Sequence, residues 1–171
     1  VAEKAWGGKF VEIWVDGTWE YVKRARGISA AVILAITDED EVVLVEQHRV
    51  PLGRRCLELP AGLIGDETPG EAAITTAARE LEEETGFAAA RWEELGEFAA
   101  SPGMLGETFR LFRASGLRRV GRGGGVSHED IATHVVKLAD VPAFLAAKRA
   151  EGCAADVKLL ALLPFAVGQV R

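Results

Sequence analysis

The sequence predicts a layered α+β or α/β domain, and three observations carry that prediction. Short runs alternate apolar and polar residues with period two and end in turn residues, as strands on a half-buried sheet require. Between them lies a run of helix formers with start and stop signals, and further helical runs follow late in the chain. With 171 residues, 49% of them hydrophobic, the chain can bury one substantial core. Strands and helices intermixed in this way form layers around that core.

Taken in order, residues 10–15 and 18–23 alternate around Asp16-Gly17, a strong hairpin signal. Residues 30–37 and 41–47 form a second strand pair across the acidic turn Asp38-Glu39-Asp40. Residues 55–59 are a short strand leading into Pro60-Ala61-Gly62. A helix then starts with Thr68 as N-cap, Pro69 as first helical residue and Glu71 as the partner that completes a capping box. Ala73, Ala77, Ala78 and Leu81 give it a narrow apolar face for close packing on a sheet, and Gly86 supplies a left-handed stop. Residues 92–100 and 108–114 read as strands on either side of Ser101-Pro102-Gly103. Residues 131–138 form a last strand, followed by a helix at 142–150 that Asp140 can cap and a final helix at 156–165.

The run Gly121-Arg122-Gly123-Gly124-Gly125 is the one low-complexity stretch. It reads as a flexible surface loop, compatible with a lid that carries Ser127-His128-Glu129-Asp130 over a site. No internal repeat is visible, and no linker is long enough to divide the chain.

Composition narrows the function. The net charge of −6 argues against a dedicated nucleic-acid binder, which would show a basic face. Cys56 and Cys153 form neither a C-x-x-C nor a zinc pattern and read as buried thiols of a reducing compartment. No apolar run reaches the length that spans a bilayer, and no charged-then-apolar leader opens the sequence, so the expectation is cytoplasmic. His48, His128 and His134 lack metal-ligand spacing and read as non-catalytic.

The chemistry is concentrated on the first helix. Glu80, Glu83 and Glu84 stand at i, i+3 and i+4 and therefore share one helical face, with Glu82 turned away to solvent. Like charges this close raise one another's pKa. A hard divalent cation such as Mg²⁺ prefers oxygen ligands, relieves that repulsion and binds phosphate oxygens as well. The segment therefore points to a phosphate-ester or pyrophosphate site.

Gly65, Glu71, Arg79, Glu80, Leu81, Glu83, Glu84, Gly86 and Phe87 together match every fixed position of G-x5-E-x7-R-E-U-x-E-E-x-G-U, with U apolar. The segment resembles the Nudix box, and the chain is identified as a member of that family. Gly62 of the Pro-Ala-Gly turn falls three residues before the position such a glycine often takes in relatives, so this loop is longer by three. The resemblance implies the Nudix fold, an α/β/α sandwich with a mixed sheet between helices. On it, residues 1–27 are an N-terminal antiparallel hairpin segment, a dimer-exchange element in relatives, and residues 28–171 are the Nudix domain.

By the same resemblance, the activity is hydrolysis of a nucleoside diphosphate linked to another moiety, with Mg²⁺ as cofactor or Mn²⁺ in its place. Glu80 and Glu84 are the chief metal ligands, Glu83 shares a metal or holds its waters, and the Ala61 carbonyl is a backbone ligand. Arg79 and Glu71 orient the glutamates through an ion pair, and Gly65 and Gly86 bound the motif. Ser101-Pro102-Gly103, fifteen residues beyond Phe87 counted to Pro102, is similar to the proline mark of ADP-ribose pyrophosphatases, although the same tripeptide is an ordinary turn. Leu57-Glu58-Leu59-Pro60-Ala61-Gly62, after Glu46-Gln47-His48-Arg49, also looks like that group and its nucleotide-sugar neighbours. Arg49, Glu58, Glu107 and Pro102 are thus the substrate-side candidates; Arg49 either meets a phosphate or pairs with a nearby acid. Glu129 is the candidate general base, with Glu107 competing for that role or for a ribose contact.

Trp14, Trp19 and Tyr21 either stack on a base or fill a core or dimer interface. The partners expected are a small nucleotide-sugar substrate and a second copy in a homodimer, with no nucleic acid and no membrane. Two alternatives stay open. One is another Nudix substrate class (a dinucleoside polyphosphate, a coenzyme or an oxidised nucleotide). The other is a non-catalytic nucleotide-binding module.

Overall fold

The computed structural model describes residues 1–66, 68–126 and 129–162. Three sheets organise them. The N-terminal sheet is an antiparallel meander of β1 (Glu3–Gly7), β2 (Val11–Asp16) and β3 (Trp19–Arg24). Its β2–β3 turn falls at Asp16-Gly17 as the sequence predicts, and β1 is an added strand that the alternation pattern did not reveal. The second sheet contains β4 (Ala30–Ala35), β7 (Ala61–Leu63), β8 (Phe87–Ala99) and β9 (Thr108–Arg119), in the order β7-β4-β9-β8. The third contains β5 (Glu41–Arg49), β6 (Arg54–Glu58), β10 (Ala132–Lys137) and the short β11 (Ala154–Ala155), in the order β10-β5-β6-β11. Parallel pairing of β4 with β9 and of β6 with β11 makes both of these sheets mixed.

Strand β4 is buried on both faces, and its alternation sends residues to two cores. Val32 and Leu34 pack with Leu44, Leu57 and Leu111, and with Val141 at the start of helix α2 (Val141–Ala150). Ala31, Ile33 and Ala35 pack with Ala73, Ala77 and Leu81 of helix α1 (Ala73–Thr85). The two helices thus cover opposite sides of the central strands, the layered Nudix arrangement that the sequence predicts. The small side chains on α1 let its axis approach the sheet closely. Among the described residues no helix is long and apolar enough to cross a membrane.

Several elements differ from expectation for physical reasons. Helix α1 begins at Ala73 rather than Pro69, and its N-cap Ala72 offers no side-chain bond. Gly70 is left-handed at φ +81°, which halts a helix there, and Glu71 is drawn instead to the Thr76 hydroxyl at 2.8 Å and towards Arg79. Asp140 likewise makes no side-chain cap on α2. Strand β8 starts at Phe87 rather than at residue 92, directly after the Gly86 stop at φ +74°, because the run Phe87-Ala88-Ala89-Ala90 shows no apolar–polar alternation to announce a strand. Residues 156–165 yield a 3₁₀ segment at Val157–Leu162, and the rest of that expected helix lies outside the described residues. Ser127 and His128 also lie outside them.

The glycine-rich run is a docking segment rather than a free linker. Amides of Gly124 and Gly125 donate to the Glu84 and Glu83 carbonyls at 2.8 and 2.9 Å, satisfying two acceptors that every helix C-terminus leaves open. Gly123 is left-handed at φ +69°, and a Cβ there would collide with the Thr85 backbone. Gly123→Ala should therefore lose about 2–4 kcal/mol of unfolding free energy in urea titrations, from combined left-handed strain and overpacking.

Candidate active site

Burial of Ala77, Leu81 and Thr76 against the sheet fixes the rotation of α1. That rotation turns Glu80, Glu83 and Glu84 towards β7 while Glu82 stays exposed. Glu84 is buried, and its Oε2 accepts the Ala61 amide at 3.0 Å. Burial pushes its carboxyl up to about 8; Glu80 and Glu129 add to the rise, and the Ala61 amide and Arg49 oppose it. Glu80 is raised to about 7, again chiefly by burial, with Arg79 opposing and Glu83 and Glu129 adding. Arg79 Nη1 lies 3.0 Å from Glu80 Oε1 and 3.0 Å from Glu83 Oε2, and its Nη2 lies 3.7 Å from Glu71. Arg79 thus stands between Glu71 on one side and Glu80 and Glu83 on the other.

Gly62 is dictated by the same contact, since a Cβ there would fall inside the Glu80 carboxyl group. The glycine of the Pro-Ala-Gly turn thus has a steric reason. Among the described residues, no three His, Cys, Asp or Glu side chains already close around a point that could hold a metal ion. Arg79 ties Glu80 and Glu83 to itself, and Glu84 leans on the Ala61 amide, so the three carboxylates do not converge on one point as the sequence suggested. The donor set nevertheless fits a hard divalent cation. Three carboxylates share one helix face, and one arginine leaves two of them with pKa values near neutrality.

A hollow of about 330 Å³ holds Glu80, Glu83, Glu84 and Arg79, with Ala61 and Arg49 on one wall and Glu129 on another. Glu129 accepts the Val126 amide at 2.9 Å. Arg49, Ala61 and Gly62 also line an adjoining cleft of about 500 Å³, whose far end carries Arg24, Glu107, Phe109 and Lys158. Arg49 spends its fork on Glu58, donating at 2.6 and 2.7 Å. The acid-pairing alternative for Arg49 is therefore what the structure shows, with Glu58 buried beneath it. Glu107 accepts Arg24 Nε at 2.6 Å and lies in the adjoining cleft, away from the Glu80 hollow. Pro102 is in neither; it borders a separate hollow of about 340 Å³ beside Trp19 and Tyr21. Gly65, at φ +76°, turns the chain between β7 and α1.

Arg24 and Lys158 were not singled out from sequence, and Gln47 entered only within the run Glu46-Gln47-His48-Arg49. Each lies in an ordinary strand or a late 3₁₀ segment, and only the tertiary fold brings them to the trough. His134 pairs with Glu46 and lines neither the hollow nor the cleft.

The NUDIX domain family model matches residues 26–156, and the chain belongs to the Nudix family. A methanol dehydrogenase activator of Bacillus methanolicus is 36% identical over 134 residues, covering 75% of this chain and 71% of that protein. ADP-ribose pyrophosphatases of Mycobacterium tuberculosis and Bacillus subtilis are 44% identical over 93 residues and 35% identical over 121 residues. Those matches cover 54% and 67% of this chain, and 44% and 64% of the two enzymes. A solved structure described as an ADP compounds hydrolase superposes with a TM-score of 0.72 at 22% identity, covering 99% of this chain and 95% of that one, which is a likeness of fold.

The raised carboxyls set a pH dependence of stability. Between pH 4.5 and about 8 the folded chain holds a proton on Glu84 that the unfolded chain has released. Stability should therefore fall as pH rises through that window, by up to about 1.4 kcal/mol per unit for this group. Glu84→Gln should flatten the pH profile of urea midpoints; a profile parallel to wild type would contradict the buried-acid assignment.

Proposed function

We propose that this chain hydrolyses the diphosphate of ADP-ribose or a related nucleoside diphosphate sugar, releasing a nucleoside monophosphate and a sugar phosphate. The observation that carries the reading is the placing of Glu80, Glu83 and Glu84 with Glu129 around one hollow, which adjoins a cleft lined by the ion pairs Arg24–Glu107, Arg49–Glu58 and Lys158–Asp156. Similarity to proteins named ADP-ribose pyrophosphatase supports the substrate class.

On this reading Glu80 and Glu84, with Glu83 and the Ala61 carbonyl, would hold Mg²⁺, for which Mn²⁺ could substitute. When bound, the cation offsets charge on the diphosphate and acidifies water. Glu129 accepts the proton of the attacking water from outside the cluster, where a free carboxylate is required. Arg79, 3.0 Å from both Glu80 and Glu83, would orient those carboxylates beside the cation. Arg49, paired with Glu58 and still partly exposed, stands where hollow and cleft meet and shares its guanidinium with a phosphate of the substrate. Arg24, paired with Glu107, and Lys158, paired with Asp156, offer polar groups of both signs to the rest of the substrate beside Phe109.

The Bacillus methanolicus relative favours a second reading, in which the chain acts as an activator of a dehydrogenase. Turnover of free ADP-ribose separates the two. We further propose a homodimer through the N-terminal sheet, where Trp6, Phe10 and Trp19 are exposed, to be checked by sedimentation.

A panel of nucleotide sugars with Mg²⁺ or Mn²⁺, scored by mononucleotide released, tests the main reading. Turnover of ADP-ribose to AMP and ribose 5-phosphate is expected, with complete loss on EDTA treatment and recovery on adding Mg²⁺. Failure of every diphosphate sugar to turn over would sink it. Glu129→Gln should lower kcat at least tenfold while titrations of Mn²⁺ binding stay within twofold of wild type.

A further inference from the structure

Glu129 is followed by Asp130, and Asp130 is gripped from outside the hollow. Arg55 of β6 donates Nη1 to Asp130 Oδ2 at 2.8 Å and Nη2 to the Asp130 carbonyl at 3.3 Å. The same guanidinium is held from behind. Its Nε donates to Glu46 Oε1 at 2.7 Å, and its Nη2 donates to the Glu46 carbonyl at 2.8 Å. Glu46 is itself buried, and its second oxygen receives His134 Nε2 at 2.9 Å and lies 3.0 Å from Lys148 Nζ. Burial alone would raise this carboxyl, but the bonds from Lys148, His134 and Arg55 outweigh it and keep it below the ordinary glutamate range.

An exposed ion pair usually contributes little, because two long side chains must be ordered to make it. Here that ordering is already met on the Glu46 side, so Arg55 meets Asp130 as a fixed fork. The other side of Glu129 is fixed as well. Its amide donates to the Val126 carbonyl at 2.8 Å, and the Gly124 and Gly125 amides just upstream are bonded to the C-terminal carbonyls of α1. None of Glu46, Arg55 and Asp130 lines the hollow that contains Glu80.

We infer that Arg55, braced by buried Glu46, is a positioning residue for Glu129: by clamping Asp130 it sets the direction from which Glu129 faces Glu80 and Glu84. The inference rests on Glu129 acting as the general base.

Asp130 has a largely exposed side chain, so Asp130→Ala leaves the core untouched. With ADP-ribose and Mg²⁺, Asp130→Ala and Arg55→Met should each lower kcat about fivefold with KM within twofold, a change equivalent to about 1 kcal/mol. In a Glu129→Gln background the same substitutions should alter kcat less than twofold, because no base remains to be misplaced. Equal losses in both backgrounds, or wild-type kcat in Asp130→Ala, overturn the positioning role. Full turnover by Glu129→Gln alone overturns the general-base reading and, with it, the role given to Arg55. Amide hydrogen exchange provides a readout independent of substrate. The Glu129 amide should exchange about fivefold faster in Asp130→Ala while the Thr133 amide of β10 is unchanged, and an unaltered Glu129 rate overturns the clamp.

Discussion

The burial of one carboxylate, Glu84, organises this structure. A glutamate placed against the sheet loses hydration, and its proton affinity rises to about 8 in consequence. Nearby groups reduce that penalty. The Ala61 amide donates to it, which requires the Pro60-Ala61-Gly62 turn to sit against α1, and Gly62 must lack a side chain for Glu80 to fit beside it. The Glu84 carbonyl, at the helix C-terminus, in turn receives the Gly124 amide and the Thr133 hydroxyl. One residue thus fixes the turn before the helix through its side chain and the segment after it through its backbone.

The same constraint explains why Arg79 alone does not stabilise the site fully. A single guanidinium bridges Glu80 and Glu83, yet Glu80 remains raised to about 7 because burial outweighs the pairing. A cluster that stays short of positive charge after its own arginine is engaged is poised for a cation of higher charge density. A solvated acidic stripe on a helix would show no such shortage, since water would supply what Arg79 does not.

How far the sequence was legible follows from the range of each interaction. The glutamate face of α1, the left-handed stop at Gly86 and the β2–β3 turn were readable because each is set by residues a few positions apart. The N-terminus of α1 was misread because Thr68 and Glu71 carry the right local pattern, while the long-range partner Arg79 and the left-handed Gly70 decide the outcome. The glycine-rich run looked like a flexible surface loop, since nothing local announces that its amides will meet a helix end. Arg49 offered two partners on paper, and a buried Glu58 on the neighbouring strand won because an unpaired carboxylate there would be costly. Short β7 and β11 exist through pairing alone and leave no periodic trace.

On the proposed reading, chemistry and selectivity are drawn from different parts of the chain. Glu80, Glu83, Glu84, Ala61 and Glu129 all lie within the matched span of residues 26–156. In the adjoining cleft, however, two of the three cations, Arg24 and Lys158, fall outside that span, one on each flank. Arg24 reaches the cleft from β3 and is tied there by Glu107, while Lys158 arrives on the 3₁₀ segment after β11 and sits 5.7 Å from the Phe109 ring. The N-terminal sheet is joined to the rest at the same place, through Val22 and Met104 and through Gly106 and Val22. On the proposed reading, cleavage of a diphosphate belongs to the shared helix and its turn. The choice of what is attached to that diphosphate belongs to flanking segments that can change without disturbing the buried carboxylates. A motif can therefore identify the reaction class while the preferred base and sugar depend on residues that no local pattern marks.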